Sequence, residues 1–172
     1  MIIILIGPMG CGKTTIGQLL SKKMNWPFYD GDDFHSQANV EKMRRGVPLA
    51  DRDRLPWLER LREEIIQWEK EGKNTILACS ALKKIYRQAL GIDQKTIRSV
   101  YLKGSYELIR DRLKSRNHPY MDDNLLKGQI ETMEEPEDGL TVDIYISPED
   151  IVEHIIGNFL PDQSKGQCTQ GH

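Results

Sequence analysis

The sequence predicts an α/β fold, with a parallel sheet of about five strands covered by helices on both faces. Three observations lead there. A short apolar strand, Ile2 to Ile6, runs directly into a glycine-rich loop and then an amphipathic helix. Four further apolar runs, at 27–29, 75–79, 97–102 and 141–146, alternate with stretches of helical periodicity, the pattern that builds β-α units and a parallel sheet. A chain of 172 residues with 38% hydrophobic content suffices for one sizeable core.

The first strand and loop set the chemistry. Gly7-Pro8-Met9-Gly10-Cys11-Gly12-Lys13-Thr14 fits G-x-x-x-x-G-K-[ST] at every fixed position, with the strand before it and the helix after it that this motif requires. Gly7, Gly10 and Gly12 let the backbone turn N–H groups toward an anion, and the following helix N-terminus adds a favourable dipole. A phosphate chain is the expected ligand. Lys13 can reach the β- and γ-phosphates, and the Thr14 hydroxyl can complete the shell of a Mg²⁺ that keeps most of its waters. Cys11 is expected to contribute mainly backbone.

Along the chain, Ile16, Leu19, Leu20 and Met24 carry the first helix, which Asn25 stops. The second strand, Pro27-Phe28-Tyr29, runs into Asp30-Gly31-Asp32-Asp33-Phe34-His35, acids at a strand's C-terminal end, where open α/β sheets bind ligands. A helix is expected from Ser36 to Gly46, then an irregular charged loop from Gly46 to Arg54, then a long helix with Pro56 in its first turn and Trp57, Leu58, Leu61, Ile65 and Trp68 on one face. Ser80 reads as the N-cap of the helix after strand three, Ser105 opens the one after strand four, and Leu125, Leu126, Ile130 and Met133 mark a further helix. Ser147 and Pro148 begin the last one. Residues 1–160 are expected to form a single domain with a mobile lid at about 114–123, and 161–172 a flexible tail.

A formal net charge of −2 without long runs of one sign indicates neither a nucleic-acid surface nor a polybasic membrane patch. Three widely spaced cysteines argue against a disulfide framework or a zinc site and favour a reducing, cytoplasmic setting. The first apolar run is too short to be a signal or a membrane span.

Asp30 and Asp32, two apart, point to the same side of an extended strand end. One can hold Mg²⁺ through water while the other takes a proton from a substrate hydroxyl; Asp33 is expected to face away. His35 is either a hydrogen-bond partner of a polyol hydroxyl or a local cap or turn group. Arg54, on a charged loop opposite the acids, is placed to clamp an anionic substrate, and Lys83 is a second cation within reach of it. Arg110, Arg112, Lys114 and Arg116 with His118 make a basic cluster suited to a lid closing on triphosphate, with Arg112 and Arg116 the expected ATP contacts. Strand three does not end in an aspartate, so the magnesium-side carboxylate must come from the acids after strand two.

From about Ile2 to Phe159 the chain resembles the gluconokinase family of small phosphate-loop kinases, the thermoresistant type. Four stretches carry the likeness: Asp30-Gly31-Asp32 with His35, Asn39, Lys42 and Met43; Gly46-x-Pro48-Leu49-x-Asp51-x-Asp53-Arg54-x-Pro56-Trp57-Leu58; Cys79-Ser80-Ala81-Leu82-Lys83-Lys84-x-Tyr86-Arg87; and Leu102-Lys103-Gly104. The resemblance implies ATP-dependent phosphorylation of D-gluconate to 6-phosphogluconate, a kinase fold with a lid, and often a homodimer. Two departures stand out. Pro8-Met9 and Cys11 make the phosphate loop look more like that of shikimate kinases, and Asn117-His118-Pro119-Tyr120-Met121 replaces the family's glycine and histidine after Arg116, with Gly128 where a serine is common.

A shikimate kinase is the nearest rival, but the adjacent glycines that its substrate site resembles are missing, since no two glycines adjoin in this chain. A kinase of another sugar acid or polyol stays open. A non-catalytic nucleotide-binding module would be expected to lose the lysine, the magnesium ligand or the strand-two acids, all present here. A GTPase would need an Asn-Lys-x-Asp segment, which the chain lacks.

Overall fold

The computed structural model describes residues 1–116 and 123–161. Five parallel strands stand in the order β2-β3-β1-β4-β5: β1 Ile2–Ile6, β2 Phe28–Asp30, β3 Thr75–Ala78, β4 Ile97–Lys103 and β5 Leu140–Asp143. The central strand β1 is isoleucine-rich and buried throughout, as a strand with neighbours on both edges and helices on both faces must be. Its alternation divides the core. Ile3 and Leu5 pack with α1 (Lys13–Met24), α5 (Tyr106–Ser115), α6 (Asp123–Thr132) and α7 (Pro148–Phe159). Ile2, Ile4 and Ile6 point the other way, onto α3 (Asp51–Lys70) and α4 (Lys84–Ala89). Each such side chain is worth about 1.5–3 kcal/mol on burial, so the two faces together anchor the strand from which the phosphate loop departs.

The helix ends follow local chemistry. Asn25 ends α1 in the left-handed conformation (φ 56°), and Ser36, Ser105 and Ser147 each accept a backbone N–H to start α2 (Gln37–Arg44), α5 and α7. Gly17 is required by packing, because a Cβ there would lie 2.2 Å from the Phe28 ring.

Four boundaries differ from expectation. The long helix starts at Asp51, so Arg52 and Arg54 stand on its first turns and not on an irregular loop; Pro56 lies inside it. Asp53 explains the early start, for its carboxylate takes the Ala50 N–H at 2.8 Å and the Lys42 ammonium at 2.9 and 3.0 Å. Ser80 is not an N-cap. Ala81 turns the chain at φ 41°, and the helix waits until Lys84, whose N–H is taken by the Glu134 carboxylate. Strand five stops at Asp143, whose side chain captures the Tyr145 N–H and bends the chain. Helix α5 continues through Lys114 and Ser115, the start of the expected lid; 117–122 of that lid, including His118, and 162–172 of the expected tail lie outside the described residues.

Candidate active site

The loop after β1 and the acids after β2 open onto one cleft of about 610 Å³ at the C-terminal edge of the sheet. Gly7, Gly10 and Gly12 all have positive φ, the conformations the motif's glycines are there to permit. Gly10 also lets the loop lie against α5, since a Cβ there would meet Leu113 at 2.7 Å. The loop is tied down from outside: Gly7 N–H donates to the Ser80 carbonyl at 3.1 Å, and Met9 N–H donates to Gln129 Oε1 at 2.7 Å. The first turn of α1 has no preceding helical carbonyls, so its N–H groups face the cleft as an anion site. Lys13 Nζ lies across the loop, donating to the carbonyls of Gly7 and Pro8 at 2.9 and 3.0 Å.

Thr14 Oγ1 donates to Asp30 Oδ2 at 3.2 Å, while Asp30 Oδ1 accepts the Asp32 N–H at 3.0 Å. Asp30 and Asp32 do not share one side of an extended strand as expected, because a 3₁₀ turn over Gly31–Phe34 begins at once. The turn itself, capped by Asp30, brings both carboxylates to the cleft, and Asp33 lines it too instead of facing away. A neutral and an anionic oxygen side by side suit Mg²⁺, which takes one or two protein oxygens and keeps several waters. Among the described residues there is no cluster of three or more His, Cys, Asp or Glu that would favour a metal bound by protein alone.

His35 forms the inner wall. Its side chain is only 3% exposed, its ring stacks on Trp57 with centroids 4.1 Å apart, and its Nε2 lies 3.8 Å from Asp32 Oδ1. Burial first, then the Arg54 guanidinium, push its pKa down from 6.5 to about 4, with Asp30 opposing, so the ring is neutral near pH 7. Trp57 is fixed in turn by donating Nε1–H to the Gly31 carbonyl at 2.7 Å.

Arg54 enters the cleft from the start of α3, held by Leu49 O at 2.8 Å and Tyr86 Oη at 3.2 Å, both through Nη1. Lys83 is not among the residues lining the cleft; it pairs with Asp51. Arg112 lines the opposite side and donates to the Ile144 carbonyl at 2.7 Å, with Arg116 beside it at the end of α5. In the phosphate loop itself Met9, Gly10, Gly12, Lys13 and Thr14 line the cleft, whereas Gly7, Pro8 and the buried Cys11 support it from behind.

Sequence reasoning gave no role to Trp57 beyond the core, nor to Asn39, Asp53 or Gln129. Three of these stand in the stretches that carry the family likeness; Gln129 reaches the loop from 120 residues away, and nothing local marks it.

A phosphate loop and a metal-competent Thr-Asp pair on a five-stranded parallel sheet define a P-loop kinase. The family model described as shikimate kinase matches residues 9–150. A probable gluconokinase of Mus musculus is 36% identical over 178 residues, covering 94% of this chain and 92% of that one. Among solved structures, a sugar kinase from Janibacter sp. HTCC2649 superposes with TM-score 0.83 at 35% identity, covering 90% of this chain and 91% of that one. A gluconokinase from Sinorhizobium meliloti 1021 gives TM-score 0.77 at 32% identity over 88% and 86%. The chain belongs to the gluconokinase family, within the wider group of shikimate-kinase-like P-loop enzymes.

Proposed function

We propose that the protein transfers the γ-phosphoryl group of ATP to D-gluconate, giving 6-phospho-D-gluconate and ADP. The observation that carries this reading is one cleft lined by a phosphate grip (Lys13, Thr14), a carboxylate (Asp32), a neutral imidazole (His35) and a guanidinium (Arg54). A sugar acid needs the last three: a base for the attacking hydroxyl, a partner for the polyol chain and a fork for the carboxylate.

The phosphates of ATP lie on the loop N–H groups, with Lys13 moving from its carbonyl contacts to the β- and γ-oxygens. Thr14 directly and Asp30 through water are the groups that would hold Mg²⁺, which supplies charge neutralisation for the transferring group. Asp32 accepts the proton of the primary hydroxyl as its oxygen bonds to the γ-phosphorus and the bond to the β-phosphate oxygen breaks. With Nη1 of Arg54 held by Leu49 and Tyr86, its Nε and Nη2 edge is the bidentate surface for the gluconate carboxylate. Arg112 and Arg116 face the triphosphate, Arg116 from the C-terminal end of α5, in a single kinase domain spanning 1–160.

Two buried free thiols, Cys11 and Cys79, agree with a reducing cytoplasmic setting, and no described helix is long and apolar enough to cross a membrane. Homodimer formation belongs to the same reading and is tested by sedimentation. The activity is tested by ADP release over a panel of gluconate, related aldonates, shikimate and neutral sugars. Gluconate is expected to give the highest kcat/KM; a higher value for shikimate or for a neutral sugar would refute the assignment.

A further inference from the structure

Asn39 is 95% buried on the first turn of α2, and its backbone N–H is already spent on the Ser36 cap. Its side-chain nitrogen lies 2.8 Å from the Asp53 carbonyl oxygen and 3.2 Å from His35 Nδ1. A carbonyl oxygen only accepts, so the atom facing it must be the amide NH₂; the reversed amide would set oxygen against oxygen. The same NH₂ faces His35, whose Nδ1 must therefore accept.

We propose that Asn39 is a positioning residue that fixes the proton of His35 on Nε2, making the imidazole a hydrogen-bond donor toward the cleft and Asp32 and excluding it as the base. The role toward substrate rests on the kinase reading above; the tautomer does not. With Nε2–H directed at the region of Asp32, the ring can donate to a lone pair of a polyol hydroxyl while Asp32 takes that hydroxyl's proton. The opposite tautomer would set a nitrogen lone pair 3.8 Å from a carboxylate oxygen and give the site two competing acceptors. Stacking on Trp57 and the burial of the ring hold it in the plane that this arrangement needs. Asp53 contributes at its own distance: its carboxylate is engaged by Lys42 and Ala50, leaving its carbonyl as the group that orients Asn39.

The test is ¹⁵N-histidine NMR of the ligand-free full chain at neutral pH, with the His35 signals identified by their loss in His35→Gln. The expected pattern is a protonated Nε2 and an unprotonated Nδ1. In Asn39→Asp, whose carboxylate accepts from Nδ1, the pattern should change to a protonated Nδ1, and KM for gluconate should rise about tenfold, the worth of one hydrogen bond, while KM for ATP stays within about twofold. A protonated Nδ1 in the wild-type chain overturns the proposal whatever the protein phosphorylates, as does an unchanged wild-type pattern in a folded Asn39→Asp. The wild-type spectrum decides even if that variant does not fold. An Nε2–H pattern in a protein that fails to phosphorylate gluconate upholds the tautomer assignment and refutes the substrate reading instead.

Discussion

Lys83 Nζ lies 3.2 Å from Asp51 Oδ1, and the same carboxylate also accepts the Tyr86 hydroxyl. The Tyr86 hydrogen bond, then that of Lys83, hold the Asp51 pKa below its ordinary value, so the carboxylate stays charged and occupies the lysine. Of the two cations read from the sequence as substrate contacts, Arg54 lines the cleft and Lys83 does not, so Arg54 is the one we propose for the carboxylate. Arg54→Lys should raise KM for gluconate at least about tenfold despite preserving charge, because the lysine loses the planar fork. Lys83→Ala should change it less than about threefold. Steady-state kinetics on both variants checks this, and a larger effect at Lys83 would move the carboxylate site.

Lys13 makes its described contacts only within the phosphate loop, to Gly7 O, Pro8 O and, more distantly, the Cys11 sulfur. Lys13→Ala should abolish turnover while leaving the thermal transition essentially intact, since the ammonium stabilises developing charge and contributes little to the core. Paired assays of activity and melting test this; wild-type turnover with an intact transition would contradict it.

His35 gives a pH signature. Its folded pKa of about 4 lies below the ordinary 6.5, so between these values the unfolded chain binds a proton that the folded chain refuses. Stability from this group is therefore complete above about pH 6.5 and falls as pH drops toward about 4. His35→Gln should flatten the dependence of the urea midpoint on pH in that window. The carboxylates of Asp51 and Asp53 are held below the ordinary carboxylate range by their hydrogen bonds from Tyr86 and Lys42 respectively, so they act at lower pH and should leave the comparison undisturbed.

Much of this was legible in the sequence because it is local. The phosphate loop is fixed by glycines within eight residues, and the serine caps and Asn25 act over one turn. Where the reading failed, a distant partner decided. Pro56 suggested the start of α3, but Lys42 and Ala50 on Asp53 bring it forward to Asp51. Ser80 looked like a cap, yet the carbonyls of Ala81 and Leu82 are held at 3.0 Å by the buried Arg87, which also reaches Glu134 O across 47 residues. Asp30 and Asp32 line one cleft, through a 3₁₀ turn and not through the period of a strand.

Arg116 closes α5 on the rim of the cleft and is exposed. A permanently charged guanidinium there can cover γ-phosphoryl oxygens that the loop leaves open, so Arg116→Ala should lower kcat at least about 10²-fold, in line with other preorganised cations. His118→Ala should cost less than about tenfold, because a histidine is only partly charged near neutrality. Single-turnover rates at saturating ATP and gluconate rank the two, and a larger loss at His118 would reverse the assignment.

In the proposed mechanism Asp32 is the base for the gluconate hydroxyl. The most direct measurement is the rate of 6-phosphogluconate formation in a single turnover by Asp32→Asn against wild type, with KM for gluconate measured alongside. The amide keeps a hydrogen bond but cannot take the hydroxyl proton, so the rate should fall about 10²- to 10⁴-fold while KM changes less than about threefold. An unchanged rate with a raised KM would make Asp32 a binding group only and contradict the mechanism.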